Sequence, residues 1–235
     1  MVSARREVKN AVSSHSCFGQ LTDAQCSALI DLGKHKTVPS EAILFQHGDP
    51  YRGLYILISG SIHTYRLSPE GRMLVLRVLQ PAESFAEGPL FEQNDFATNT
   101  ATAETLGKSK LLFIPKKPFR RFAARNPHVY PMLLQMMGNR LREAVRQIDA
   151  LSLQDVQQRL ASYLIRQVPE EKSRTTAPTV ELDVPKAVLA AELGTVPETL
   201  SRTLSRLEQR DLIRSEASKI VLTRISELRR LSRGT

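Results

Sequence analysis

The sequence has few cysteines and no long apolar run, and both absences limit what the protein can be. Among its 235 residues only Cys17 and Cys26 are cysteines, too few for a disulfide framework or for a four-thiolate metal site. The apolar runs fall far short of the roughly 18 residues that a membrane span needs. The first ten residues also lack the apolar stretch of a signal peptide. We therefore expect a cytoplasmic protein with no membrane partner.

The charge favours a polyanionic partner. Hydrophobic residues make up 41% and charged residues 24% of the chain, as in an ordinary globular protein, but the formal net charge is +9. From Val184 to the end, ten Lys and Arg face six Asp and Glu, so the last 52 residues carry +4. A basic segment of this kind suits nucleic acid without identifying it.

The first half of the chain has the pattern of a small antiparallel β domain. A helix is predicted over Leu21 to Lys34, with Thr22 as its cap. From Thr37 to Ile114, short apolar or alternating runs (AILF, LYILI, SIHTYRL, MLVLRVL, ATAET, KLLFI) are separated by turn signals every 8 to 12 residues. This spacing predicts a sandwich or barrel, which we place in a domain over residues 1–126.

A heptad stripe then predicts a dimerisation helix over residues 127–152. Apolar residues recur at alternating spacings of four and three, which is the pattern of a coiled-coil seam. The seam residues are Tyr130, Leu134, Met137, Leu141, Ala144, Ile148 and Leu151. We predict a parallel homodimer. The alternative is a stripe that packs only on its own domain.

The last segment, residues 153–235, has the pattern of a winged helix-turn-helix. Pro185 precedes a short helix over Lys186 to Leu193, Gly194 ends it, and a second helix follows with Pro197 in its first turn. Leu200, Leu204 and Leu207 form the apolar stripe of that second helix. The following LIRSEASKIVL predicts two short strands, which completes a DNA-binding domain.

The second helix carries candidate base-reading side chains near its amino-terminal end. Arg202 can donate two hydrogen bonds to guanine, Glu198 can accept one from cytosine N4, and Ser201 lies beside them. Candidate phosphate contacts are Lys186, Thr199, Ser205 and Arg206. Two simpler roles stay open for Glu198: a capping box with Thr195, or an ion pair with Arg202.

These residues resemble the Crp/Fnr superfamily of bacterial transcription regulators. The similar stretches are FQHGDPYRGLYILISGSIHTYRLSPEGRMLVLRVLQPAESFAEGPLF and GTVPETLSRTLSRLEQRDLI, and the resemblance covers almost the whole chain. Glu198, Ser201 and Arg202 match the ExxSR pattern of the fumarate-nitrate branch, which implies TTGAT-like half-sites. Pro197 stands where the cyclic-AMP branch has an arginine.

The resemblance also implies an effector pocket at Phe85, Ala86, Glu87, Ala97 and Thr98. Cyclic-nucleotide binders have Gly-Glu at the first place and Arg-Ser at the second, whereas this chain has Ala86-Glu87 and Ala97-Thr98. Without the arginine the cyclic phosphate has no bidentate partner, so cyclic AMP is not expected. An iron-sulfur cluster is not expected within one chain either, because two cysteines cannot supply four thiolates.

The sensor stretches are most similar to Dnr-type and hybrid-cluster-protein regulators, which are associated with nitric oxide or nitrosative stress. This resemblance makes haem the candidate cofactor, with His15 and His63 as weak candidate ligands. His63 alternates with Ile62 and Thr64, so it faces either the interior of the roll or solvent, and an exposed strand position is favoured.

The predicted fold class is α+β: an amino-terminal antiparallel β-roll (jelly roll) like a cyclic-nucleotide-binding domain, a long dimerisation helix and a carboxy-terminal winged helix-turn-helix. The predicted function is that of a homodimeric regulator that binds palindromic double-stranded DNA and responds to a small-molecule or redox signal. Catalytic motifs such as HExxH, GxSxG or a P-loop are absent, so no enzyme is predicted. The alternative is a ligand-binding module that acts through protein contacts at residues 169–179 and Ser68 to Gly71. In a regulator these two surfaces would contact RNA polymerase.

Overall fold

A computed structural model describes residues 2–92, 96–168, 177–182, 184–216 and 219–234. The chain divides into two compact units, residues 1–141 and 142–235, with the boundary inside one long helix. The helices in the described residues are α1 (Val2–Ser14), α2 (Asp23–Asp31), α3 (Lys116–Arg125), α4 (Val129–Leu153), α5 (Val156–Arg166), α6 (Lys186–Glu192), α7 (Pro197–Gln209) and α8 (Ile225–Ser232). The strands are β1 (Lys34–Val38), β2 (Ile43–Phe45), β3 (Gly53–Ser59), β4 (Ile62–Leu67), β5 (Met73–Leu79), β6 (Ser84–Phe85), β7 (Thr102–Thr105), β8 (Ser109–Pro115), β9 (Thr179–Glu181), β10 (Ile213–Glu216) and β11 (Lys219–Leu222).

The first unit is a β-roll of two antiparallel four-stranded sheets. Their strand orders are β1-β8-β3-β6 and β2-β7-β4-β5. Strand β3 shows how the roll is packed, because its alternate side chains belong to different cores. Leu54 and Ile56 join the core shared with α1 to α4, whereas Tyr55 and Leu57 face the interior of the roll.

Aromatic rings occupy the interior of the roll. The ring of Tyr55 stacks on that of Phe85 with centroids 5.0 Å apart, and it lies 4.8 Å from the ring of Phe113. Phe45 lies 5.7 Å from Tyr55 and 6.1 Å from Phe85. Contacts of this kind add to the stability gained by burying apolar surface.

Some elements of the first unit were not predicted from the sequence. Residues 2–14 form α1, whose Val8 and Val12 are buried in the core. The helix predicted over Leu21 to Lys34 was too long, because α2 ends at Asp31 and β1 begins at Lys34. Its predicted cap is confirmed: Thr22 forms a capping box with Gln25.

The second unit is a small α+β domain. Strands β10, β11 and β9 form an antiparallel sheet in that order, and the sheet shares a core with α5 to α8. Leu200, Leu204 and Leu207 are buried, so the predicted stripe of the second helix is confirmed. The predicted α+β fold class is also confirmed. Among the described residues no helix has the length and apolar character needed to span a membrane.

Candidate DNA interface and sensor turn

The helix-turn-helix consists of α6, a turn at Leu193 to Val196, and α7. Gly194 adopts a left-handed φ of +62° in this turn. The amide of Thr195 donates to the carbonyl of Ala190 (2.9 Å), which ties the turn to the preceding helix. Helix α7 then begins at Pro197. An amide N–H at this position would have no intrahelical acceptor, and proline has no N–H.

The outer face of α7 presents the predicted base-reading side chains. Glu198, Ser201 and Arg202 are exposed, while Leu200 and Thr203 on the opposite face are buried. The three exposed side chains lie in the first two turns, which are the part of a recognition helix that meets base edges. The structure therefore brings the three predicted residues together on one solvent-facing surface.

The two simpler roles for Glu198 find no support in the geometry. The residue before α7 is Val196, which caps the helix without a side-chain hydrogen bond, so Thr195 and Glu198 do not occupy the positions of a capping box. The Arg202 guanidinium donates to Thr199 Oγ1 at 3.2 Å. This bond holds the guanidinium over the first turn of the helix.

The predicted phosphate contacts surround this surface. Lys186 is exposed at the start of α6, and Ser205 and Arg206 are exposed on α7. Thr199 is half-buried, and its carbonyl accepts from Thr203 Oγ1 at 2.7 Å. Thr199 therefore has two intramolecular partners, whereas the other three side chains extend into solvent.

One residue that the sequence analysis missed connects the end of α4 to the helix-turn-helix. The Arg159 guanidinium donates to the carbonyl of Leu193 (2.8 Å) and to the carbonyls of Ala150 and Gln154. The Leu193 and Gln154 carbonyls lie at helix ends, where such oxygens lack intrahelical partners, whereas the Ala150 carbonyl also accepts from the amide of Gln154 (3.1 Å). Arg159 thus holds the last turn of α4 against the turn that precedes the recognition helix.

Any side chain at position 194 is expected to lower the stability of the protein. A Cβ atom there would lie 2.4 Å from Leu151 Cδ2, at a φ that costs a non-glycine residue about 1–2 kcal/mol. We expect Gly194→Ala to lower the free energy of unfolding by about that amount, measured by urea unfolding. Gly107→Ala, with open space at its Cβ, is the control. Equal stability of the two variants would contradict the prediction.

The five predicted effector-pocket residues point in different directions. Phe85 is buried in the interior of the roll, whereas Ala97 is buried in the core shared with the helices. Ala86 lies between these cores at a left-handed φ of +62°. Thr98 is exposed and pairs with Pro50. The structure therefore does not gather all five side chains around one space.

Glu87 and His15 are joined by a buried hydrogen-bond chain through Ser84. His15 Nε2 lies 2.9 Å from Ser84 Oγ, which donates to Glu87 Oε1 at 2.5 Å. The other ring nitrogen, Nδ1, accepts from the amides of Cys17 (3.0 Å) and Phe18 (3.1 Å). Both nitrogens of His15 therefore have partners.

Acid is expected to weaken folding through His15. Burial, with smaller contributions from Arg140 and Arg77, lowers the pKa of His15 from 6.5 to about 4. The unfolded chain takes up the proton first, so this stability is present above pH 6.5 and is lost as the pH falls towards 4. Between pH 7.5 and 5.0 the loss is about 2 kcal/mol. Urea unfolding of the wild type and His15→Gln at both pH values measures it, and an equal loss in both proteins would contradict the assignment.

Neither candidate ligand, His15 or His63, is placed to bind haem in the interior of the roll. His15 has partners on both nitrogens, burial raises the pKa of the Cys17 thiol to about 12, and rings pack the interior of the roll. His63 lies on the face of its strand opposite the interior residue Ile62. The exposed position favoured for His63 was wrong: it is 3% exposed, and its Nε2 lies 3.6 Å from Glu104 Oε2. The Tyr65 ring, whose centroid lies 4.9 Å from that of His63, and the Glu104 side chain contribute to its burial.

The residues of the predicted seam on α4 differ in their burial. Half-buried Met137 packs against the core of the first unit, together with Val129, Leu133 and Met136, which lie outside the seam. Half-buried Leu151 lies against Gly194 in the second unit. The other predicted seam residues are exposed: Tyr130 (41%), Leu134 (74%), Leu141 (67%), Ala144 and Ile148 (62%).

Both domains match known protein families. Residues 35–126 match the cyclic nucleotide-binding domain, and residues 158–231 match the Crp-like helix-turn-helix domain. The chain belongs to the Crp/Fnr superfamily. It is thus a Crp-family DNA-binding transcription regulator, and these regulators are not enzymes.

Relatives and solved structures of Crp/Fnr regulators span most of the chain. The CRP-like cAMP-activated global transcriptional regulator of Mycobacterium tuberculosis is 26% identical over 83% of this chain and 86% of its own. The structure of FixK2 from Bradyrhizobium japonicum matches with a TM-score of 0.72 at 20% identity, covering 85% of this chain and 96% of FixK2. The c-di-GMP responsive global regulator CLP of Xanthomonas campestris matches with a TM-score of 0.72 at 22% identity, covering 86% and 99%.

Proposed function

We propose that this Crp/Fnr regulator is a homodimer that binds palindromic DNA with TTGAT-like half-sites. The observation that carries the proposal is the exposed cluster of Glu198, Ser201 and Arg202 at the start of α7. In this assignment Arg202 donates to guanine O6 and N7, and Glu198 accepts from the N4 amine of the paired cytosine. Lys186, Ser205 and Arg206 contact phosphates and set the register.

The exposed apolar face of α4 supports the homodimer. Leu134, Leu141 and Ile148 extend from the helix at heptad spacing and stay exposed in the protomer. Pairing this face with the same face of a second copy buries all three side chains. Two recognition helices then meet a palindrome whose half-sites lie about one helical turn apart.

The sensor domain (residues 1–126), the dimerisation helix (127–152) and the DNA-binding domain (153–235) each have a role in this proposal. A small-molecule or nitric oxide signal at the β-roll shifts the population that binds DNA. Bound to DNA in the cytoplasm, the regulator contacts RNA polymerase. One surface for that contact is the turn Ser68 to Gly71, and most of the other, residues 169–176, lies outside the described residues.

The proposal is tested by binding of the purified protein to a TTGAT-type palindrome and to a scrambled duplex at one stated salt concentration. The titrations are done without additive, with haem, and with haem plus nitric oxide. Selective binding of the palindrome in any arm supports the regulator, and the arm in which it occurs identifies the signal. No selectivity in any arm favours the alternative, a module that acts through protein contacts.

A further inference from the structure

The turn Ser84 to Glu87, called the sensor turn, is where two distant parts of the first unit meet. On one side lies the amino-terminal segment, defined here as residues 5–20, whose His15 contacts Ser84. On the other side lies α4: Met136 Sδ is 3.5 Å from Ser84 Oγ, and Arg140 Nη1 is 3.7 Å from Glu83 Oε1. The two contacts of Ser84 could not be predicted from the sequence, because His15 and Met136 lie 69 and 52 residues away from it.

The direction of the hydrogen-bond chain follows from its donors and acceptors. His15 Nδ1 accepts from two backbone amides, so the proton of the neutral ring is on Nε2 and is donated to Ser84 Oγ. The single proton of the Ser84 hydroxyl then goes to Glu87 Oε1 at 2.5 Å. Removal of Ser84 would leave buried Glu87 without this partner, and removal of His15 would leave Ser84 Oγ without its donor.

The backbone of the turn carries strain, which is common at functional positions. Ala86 has a left-handed φ of +62°, a conformation that a residue with a Cβ atom adopts at a cost. Arg77 supports the turn from strand β5, donating to the Ser84 carbonyl (3.3 Å) and to Glu83 Oε1 (3.2 Å). The chain through His15 and the contacts of Arg77 together hold this shape.

We propose that the amino-terminal segment acts as an internal ligand of the sensor turn. His15 holds the Ser84 hydroxyl against the Glu87 carboxylate, and this contact keeps α4 in the arrangement that binds DNA without a bound nucleotide. Glu87 stands at the glutamate position of the cyclic-nucleotide cassette, and in this protein its carboxylate accepts from a hydroxyl of the same chain. This inference rests on the proposed function, because its readout is specific DNA binding. A signal would act on the regulator by breaking the contact between His15 and Ser84.

Three variants of the full chain separate this role from simple packing. His15→Asn keeps an acceptor for the Cys17 and Phe18 amides but loses the donor to Ser84, and Ser84→Ala deletes one oxygen. His15→Gln retains an N–H near the position of Nε2 and is the matched control. Binding to the palindrome and to the scrambled duplex is measured without added effector, together with hydrogen exchange of the amides of residues 84–90.

We expect the wild type to bind the palindrome selectively without effector. His15→Asn and Ser84→Ala should reduce the palindrome-to-scrambled affinity ratio by about 5- to 100-fold, a range typical of coupling between sites. Their amides at residues 84–90 should exchange faster, whereas His15→Gln, which keeps the donor to Ser84 and loses only the acceptor of the Cys17 and Phe18 amides, should retain more selectivity than His15→Asn. An unchanged ratio in both variants, or a wild type that needs an added effector, would overturn the inference. A different result would contradict the proposed function itself, namely that neither the wild type nor any variant binds the palindrome selectively under any condition.

Discussion

Arg202→Ala is expected to remove discrimination at the guanine of each half-site. Loss of a bidentate contact to guanine costs about 1–3 kcal/mol, and a palindrome contains two such contacts. Arg202 is exposed and bonds only locally to Thr199, so the fold and the dimer should be unaffected. Competition between the palindrome and duplexes with the guanine replaced measures the effect.

Arg206→Ala is the matched control for this prediction, because it removes the same side chain one turn further along α7. A phosphate contact carries no sequence information, so the control should weaken binding to all duplexes alike and reduce the salt slope by about 1. If Arg202→Ala instead weakened palindrome and scrambled duplex equally, Arg202 would be a phosphate contact too.

Leu141→Asp is expected to separate the dimer into monomers. The leucine is 67% exposed in the protomer, and each such side chain buried in a seam contributes about 1.5–3 kcal/mol. In a parallel pair the two aspartates would face each other, which adds charge repulsion to the lost burial. A monomer meets one half-site only, so we expect affinity for the palindrome to fall by at least about 100-fold.

Sedimentation velocity and palindrome titrations of the same sample measure both effects. Gln135→Asp is the matched control, because Gln135 is exposed on α4 outside the seam and should leave the dimer intact. A Leu141→Asp protein that still sediments as a dimer would place the interface elsewhere.

The strands of the roll and the recognition helix could be predicted because each is marked by local pattern. Short apolar runs mark β3 and β5, alternation marks β4, and Leu200, Leu204 and Leu207 repeat at helical spacing. Helix α1 was missed because, over residues 5–14, whose side chains are described, the buried residues are Val8, Ala11 and Val12 in a polar stretch, which leaves a weak apolar signal. Strand β1 was missed because its residues are mostly exposed, and it is held by pairing with β8.

The sensor turn shows why candidate sites are harder to predict than folds. Glu87 was identified from its place in a motif, but its partner Ser84 is held by His15, which lies 69 residues from Ser84 along the chain. The direction of His63 likewise depends on the register of β4, and its burial depends on neighbouring side chains. Local patterns contain no information on contacts of this range.

The contacts of Arg159 and Gly194 also determine where a fragment that contains the DNA-binding domain should begin. Three carbonyls accept from Arg159, and those of Ala150 and Gln154 come from the chain before α5. The left-handed turn at Gly194 is covered by Leu151, which belongs to α4 as well. A fragment that starts at Asp155 would therefore lack part of its own packing. A fragment that starts at Arg142 includes the last three turns of α4, so we expect it to be the more stable of the two.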